Sequence, residues 1–236
     1  MIYEELGARI ILSFGDGKVF VTESTIFGII VAIVIAVICI WLGHGLKTVP
    51  KGKQIIAEFI VEWIYKFTKE NMGEENSRFA PYIGSIFAFM VCGSMLGIFG
   101  IRPITADVNV AFALSIMTFV MIQYNAVKTL GIRGKIKSMC DPYPFMLPLK
   151  VLEDVTLPVS LGFRLFGNML GGVIVIDLWM NLMTMLSNYM TDIPFLRAIT
   201  VLPLNGFFDM FEPAIQTYIF VTLTSVFLSM GMKKTH

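Results

Sequence analysis

The sequence predicts an all-α integral membrane protein: five transmembrane spans plus a membrane-surface amphipathic helix, with the last two spans forming a long tilted helical hairpin. Three observations predict it. Of the 236 residues, 56% are hydrophobic and 15% are charged, whereas a soluble domain is about a quarter charged. The mean hydropathy is +0.76, and the apolar residues fall in blocks of the length that a bilayer requires. Between the blocks, basic residues alternate between sparse and dense loops.

The other bulk features exclude more than they identify. A net charge of +1 gives no basic surface for nucleic acid. Cys39, Cys92 and Cys140 have neither metal-binding nor redox spacing, and they read as small core residues. Glu4 and Glu5 stand where a secretory signal would carry a basic region, so the first apolar run is expected to stay in the mature chain.

The elements follow in order within a single membrane domain, 1–236. Residues 1–25 form an external segment, with Phe14-Gly15-Asp16-Gly17-Lys18-Val19 as a turn between short extended pieces. Thr22, Ser24 and Thr25 are candidate helix caps. Span one is 26–46, about 20 apolar residues for a core of about 30 Å, and His44 lies at its end. Over 47–80, Ile55, Ile56, Phe59, Ile60, Trp63, Ile64 and Phe67 recur at helical spacing among Lys53, Glu58, Glu62, Lys66 and Lys69. That pattern suits a helix on the membrane surface, or one packed on another subunit. Spans two and three form a hairpin over 81–127, closed by a short connector at 101–107. A basic, then proline-containing loop is expected over 128–147. The rest, 148–232, contains two apolar stretches around a polar turn at 187–192. The first would extend about 60 Å as a helix, so it must tilt, bend or run partly along the membrane.

Loop charge orients the spans. The basic residues number two before span one (Arg9, Lys18) and six after it (Lys47, Lys51, Lys53, Lys66, Lys69, Arg78). One follows in the next connector (Arg102), then five (Lys128, Arg133, Lys135, Lys137, Lys150), one (Arg197) and two (Lys233, Lys234). By the positive-inside rule the N-terminus is outside and the C-terminus cytoplasmic. The two long stretches share neither charge nor glycine pattern, which argues against an inverted-repeat transporter.

Ionisable residues inside apolar stretches carry the functional signal. Arg164 lies in Pro158-Val159-Ser160-Leu161-Gly162-Phe163-Arg164-Leu165-Phe166-Gly167-Asn168-Met169-Leu170-Gly171-Gly172. An arginine at mid-span costs about 2.5–3.5 kcal/mol on insertion scales, and a guanidinium cannot escape that cost by losing its proton. Mostly apolar flanks on both sides argue against snorkelling. An ion path, or a carboxylate on another chain, gives the charge a reason. At about 100° per residue, Glu153, Ser160, Arg164, Asn168 and Gly171 lie within about 40° of one line. The neighbouring glycines let a partner helix approach that stripe closely.

The last stretch has its own polar face: Asp209, Glu212 and Gln216, with Phe220 beyond. Pro213 weakens the helix there and frees a carbonyl. The two carboxylates fit a proton or cation path, or hydration at the outer interface. Asp177 falls about 140° from the Arg164 line and belongs either to a channel or to an interface. There is no phosphate loop, metal cluster or catalytic histidine; His44 and His236 are the two histidines. Neither a cofactor nor catalysis by this chain alone is expected. A stand-alone transporter would need a substrate cavity with broken helices in matching halves, and a structural scaffold would leave Arg164 unexplained.

The segment 158–169 resembles the signature of subunit a of F-type ATP synthases. Pro103-Ile104-Thr105-Ala106-Asp107-Val108-Asn109 resembles that family's hairpin motif, and Val49-Pro50-Lys51-Gly52-Lys53-Gln54 with Glu58 its first cytoplasmic segment. Gln216-Thr217-Tyr218-Ile219-Phe220 and Leu223-Thr224 resemble its last helix. The resemblance implies a non-catalytic stator subunit beside a ring of c subunits, held with peripheral-stalk b subunits in a bacterial plasma membrane. Two offset half-channels would carry protons, or Na⁺, to and from the ring carboxylates. Arg164 would release the ion from the arriving carboxylate and block leakage. Asn168 and Gln216 match polar positions near it, Asp209 an outer half-channel position, and Ser160 a position toward the cytoplasmic path. Two departures stand out. Val173 replaces the Glu or His that many members carry, so Asp209, Glu212 or Asp177 would substitute. Ser94-Met95-Leu96-Gly97 replaces a common Asn-Leu-Leu-Gly.

Overall fold

The computed structural model describes residues 10–14, 19–99, 101, 103–140, 143, 145, 147–190 and 195–232. Glu4, Glu5, Arg9, the turn residues 15–18, Arg102, Asp192, Lys233, Lys234 and His236 lie outside the described residues.

A short antiparallel hairpin precedes the helices. β1 (Ile10–Phe14) pairs with β2 (Val19–Thr22), with Phe14 opposite Val19 and Ser13 opposite Phe20. Thr22 then caps α1 (Glu23–Gly43), accepting the Thr25 N–H at 3.3 Å. Its hydroxyl also donates to Asp107 Oδ2 at 2.8 Å, across 85 residues of sequence. α1 is apolar around most of its girth. Ile29, Ile33, Val37, Ile40 and Trp41 are all exposed, as expected of a helix that faces lipid.

The loop after α1 turns at Gly45 and Gly52, whose φ angles of 76° and 61° favour residues without a Cβ. Gln54 closes this loop. Its amide donates to Lys47 O at 2.7 Å and Glu58 Oε1 at 2.7 Å, and it accepts from Lys47 N at 2.9 Å. α2 (Lys53–Met72) exposes Ile55, Ile56, Phe59 and Ile60. Its other side packs within the chain: Trp63 lies against Phe87 and Phe67 against Tyr218.

A 3₁₀ turn (Glu74–Phe79) leads into α3 (Ala80–Ser94), and a second one (Met95–Phe99) follows it. Asp107 starts the next helix. Its Oδ1 accepts the Asn109 N–H at 2.9 Å, satisfying one of the free donors of a helix start. α4 (Val108–Cys140) is two helices joined at Gly131, which has φ 72° and ψ 163°. The first part of the expected 128–147 loop is therefore helical. The basic residues alternate there with Ile132 and Ile136, and one glycine absorbs the change of direction.

α5 (Leu147–Met190) has 44 residues and is about 66 Å long. Pro158 lies within it; having no N–H, it leaves the Asp154 carbonyl without its helical donor. The Ser115 hydroxyl of α4 donates to the Pro158 carbonyl. The final stretch is not one uniform helix. α6 (Phe195–Gly206) passes through a π turn (Phe207–Phe211) into α7 (Glu212–Met232). At the turn the Glu212 N–H bonds the Phe207 carbonyl, five residues back. Pro213 is the cause that the sequence offers: it cannot donate to the Asp209 carbonyl, and widening the preceding turn relieves the clash.

Among the described residues, five helical stretches are long and apolar enough to cross a membrane: Glu23–Gly43, Glu74–Phe99, Val108–Lys137, Leu147–Tyr189 and Leu196–Met232. α7 is central. Phe220, Val221 and Leu228 meet Ile83 and Met90 of α3, Leu114 of α4 and Leu165 of α5 in one buried cluster. In lipid, water does not drive this association; close approach does. A Cβ at Gly84 would stand 2.8 Å from Ile64 Cδ1, and one at Gly162 would stand 3.1 Å from the Phe112 ring. At Gly93 it would overlap Ile104, which is completely buried.

Candidate functional site

Arg164 sits on the exposed face of α5, about 26 Å from the helix start at 1.5 Å per residue. Among the described residues it has no carboxylate within ion-pair distance. Its polar stripe faces an open cleft of about 520 Å³. Glu153, Thr156, Ser160 and Arg164 line this cleft from α5, and Leu223 and Phe227 from α7. The cleft thus joins three members of the sequence stripe and adds Thr156. Leu161 and Leu165, on the inner side of the same turns, are buried. The helix therefore anchors by one face and leaves the guanidinium on the other.

One turn further on, the chemistry passes from α5 to α7. Asn168 Nδ2 donates to Gln216 Oε1 at 2.7 Å. Gln216 is 7% exposed, and its Nε2 has no hydrogen-bond partner among the described residues. A small void of about 10 Å³ lies here, bounded by Ser94, Thr105, Asn168, Glu212 and Gln216 among others. Ser94 and Thr105 are each 3% exposed, so four elements bring polar atoms to one enclosed point. Ser94 contributes only a short side chain there.

The two carboxylates diverge from the π turn. Asp209 approaches Gly97, where an added Cβ would be 3.1 Å from Oδ1. Glu212 reaches the other way, toward α5; its Oε2 lies 3.5 Å from where a Gly172 Cβ would be, and Phe208 Cδ1 lies 2.9 Å from the same point. Each acid therefore occupies room that a glycine leaves open. Asp177 is exposed on α5 and lines neither cavity.

The comparison with known proteins now decides the family. Residues 25–229 match the model described as ATP synthase A chain. The chain belongs to the ATP synthase A chain family. It is 30% identical to the ATP synthase subunit a of Oceanobacillus iheyensis over 219 residues, 88% of each chain. It is 31% identical to that of a Sulfurihydrogenibium species over 212 residues, covering 88% of this chain and 95% of the relative. To that of Moorella thermoacetica it is 29% identical over 185 residues, 78% of each chain. The match runs from α1 through most of α7 and so covers every ionisable residue of the site. Membership of the ATP synthase A chain family makes the chain a multi-pass membrane component of an ATP synthase.

The sequence singles out Arg164, Asn168, Ser160, Asp209, Glu212, Gln216 and Asp177; Arg164 and Ser160 line the cleft, and Asn168, Glu212 and Gln216 the void. The cavities add Thr105 and Thr156. Thr105 lies inside the hairpin motif, and no local pattern in the sequence ties it to Gln216. Thr156 is about two helical turns before Arg164 but about 80° from the stripe line, so periodicity does not place it with the stripe. Among the described residues no group of three metal-binding side chains occurs.

Proposed function

We infer that this chain is the ion-translocating stator subunit of a rotary F-type ATP synthase. It supplies two offset half-channels and an essential arginine to a ring of c subunits. The observation that carries this reading is Arg164: a permanent cation on the exposed face of a membrane helix, unpaired among the described residues. No described residue supplies its counter-charge, and a ring carboxylate that arrives, discharges and departs fits that need. A fixed cation favours the charged form of a neighbouring carboxylate, so Arg164 drives ion release as each ring subunit passes. The same charge repels any cation that would pass directly from one half-channel to the other.

The open cleft with Glu153, Thr156, Ser160 and Arg164 serves as the cytoplasmic half-channel. The constellation of Asp209, Glu212, Gln216 and Asn168, with Asp177 toward the far end of α5, serves the outer one. The ion is H⁺ or Na⁺, chosen by the ring site. The long hairpin gives a face to lay against a cylinder, and peripheral-stalk b subunits hold it still. The N-terminus is outside and the C-terminus cytoplasmic, in a bacterial plasma membrane. The membrane potential supplies about 2.3 kcal/mol per charge per 100 mV, so neither a cofactor nor bond chemistry is required of this chain.

The test is ATP-driven ion uptake by membrane vesicles carrying Arg164→Ala, with ATP hydrolysis and complex assembly measured in parallel. Pumping is expected to disappear while the complex still assembles. Near-normal pumping would show that the arginine is dispensable and would end this mechanism for the chain.

A further inference from the structure

The second part of α4 is a feature that ion translocation does not use. Residues 108–130 are about 34 Å long as a helix, enough to cross a hydrocarbon core of about 30 Å. The chain then breaks at Gly131, with φ 72°. The helical piece 132–140 therefore begins where the span leaves the hydrocarbon. Its side chains are sorted by face. Ile132 and Ile136, one turn apart, are 68% and 52% exposed. Arg133 and Lys137, also one turn apart and exposed, follow about 100° round the helix. Lys135 falls on the other side of the apolar pair, 3.8 Å from Asp154 Oδ2 of α5, and ties the piece down.

The surroundings carry interface chemistry. Tyr124 is exposed at the end of the span, with Lys128 Nζ 5.8 Å from its ring centroid. Tyr143 and Phe145, just beyond the piece, are 69% and 88% exposed. A solvated charged face would account for Arg133 and Lys137 but would leave two isoleucines in water. A core helix would account for the isoleucines, yet they are not covered. A membrane surface takes both, the apolar side at the acyl boundary and the cations at the phosphates.

We propose that 132–140 is a binding site for anionic phospholipid, with Ile132 and Ile136 entering the acyl boundary while Lys128, Arg133 and Lys137 hold headgroup phosphates. The proposal rests on the five-span reading, and on the proposed orientation only for assigning the leaflet as cytoplasmic. Each cation near an anionic surface contributes about fivefold in binding at low salt. A site of this kind would fix the height of α4 and, through the Lys135–Asp154 pair, of α5.

The experiment is native mass spectrometry of the full chain in detergent, titrated with phosphatidylglycerol or phosphatidylcholine. Phosphatidylglycerol is expected to bind preferentially. Arg133→Gln with Lys137→Gln should reduce that preference roughly 25-fold without changing the melting temperature. Equal binding of the two lipids, or a preference that survives the double substitution, overturns the proposal. Displacement by inorganic phosphate at matched ionic strength also overturns it, because the site would then take free anions. A nitroxide at Ile136→Cys in the assembled complex supplies an independent reading. Accessibility to oxygen at acyl-boundary depth is expected, whereas shielding from both oxygen and a water-soluble relaxant would show that another subunit covers the face. Lipid binding by the chain alone does not depend on Arg164 or the ring, so its failure is distinct from failure of the coupling mechanism.

Discussion

The bond between Asn168 and Gln216 links the arginine helix to the last helix, and it can be weighed. Asn168 Nδ2 donates to Gln216 Oε1 at 2.7 Å, and Gln216 is 7% exposed. Replacing either residue by leucine leaves its partner unpaired. In a protein interior that costs about 1–3 kcal/mol. Interhelical bonds in membranes are worth less, about 0.6 kcal/mol on average and about 1.7 at most. Asn168 is exposed on its helix and can turn to other partners, so the lower range applies. A coupling of that size corresponds to roughly 3- to 20-fold in rate. The assay is a double-mutant cycle of Asn168→Leu and Gln216→Leu in the assembled complex, reading ATP-driven pumping per ATP hydrolysed. If the pair acts as a unit, the double variant should pump about as well as the worse single variant. Effects that add within about 0.3–0.5 kcal/mol would refute the argument that this bond positions a joint element of the path.

Three further outcomes follow from the same geometry. Gly172→Ala puts a Cβ 2.9 Å from Phe208 Cδ1 and 3.5 Å from Glu212 Oε2; it should slow pumping severalfold with assembly intact, measured by proton uptake and by recovery of the complex. Asp107→Ala removes a helix cap worth about 1 kcal/mol together with the Thr22 bond. It should lower the thermal midpoint of the purified chain, and Thr22→Val should lower it by less. Gln54→Ala removes the two hydrogen bonds to Lys47 that close the loop after α1, and one to Glu58 within α2; limited trypsin digestion should then cut at Lys47 and Lys51 faster than in the parent chain.

What was legible in the sequence was what the bilayer dictates. Apolar length marks the spans because an unsatisfied backbone cannot sit in lipid, and a mid-span arginine stands out because its charge is so costly there. The stripe Glu153–Ser160–Arg164 was readable because one helix fixes its own periodicity. Features that arise between helices were not readable. Ser94 and Thr105 come to Gln216 through the packing of α3 and the hairpin connector on α7, and nothing local in either sequence announces that meeting. Pro213 announced a weakened helix, but not that the chain would respond with a π turn over Phe207–Phe211 rather than a kink. The helical continuation to Cys140 was masked by its own composition, because a basic run with glycines reads as a loop until the exposed isoleucines are seen at one-turn spacing.

The π turn also bears on the valine at position 173. The family resemblance implies an acidic residue or histidine at this position of α5; this chain has no ionisable group at that point of the helix. An extra residue in a turn rotates everything beyond it by about 100° relative to a regular helix. In this chain that rotation separates Asp209, which turns to Gly97, from Glu212, which turns to Gly172. Glu212 thereby brings a carboxylate from α7 to the α5 position next to Val173. Gly172 makes the approach feasible, since any side chain there would meet Phe208 first. The valine, the glycine, the π turn and Pro213 are then parts of one solution. An acid that the resemblance expects on one helix is matched at nearly the same place by Glu212 of the facing helix, and the proline provides the change of register that aims it. This supports counting Glu212, together with Asp209, among the residues of the proposed outer half-channel, and it gives a physical reason why a proline follows directly after that glutamate.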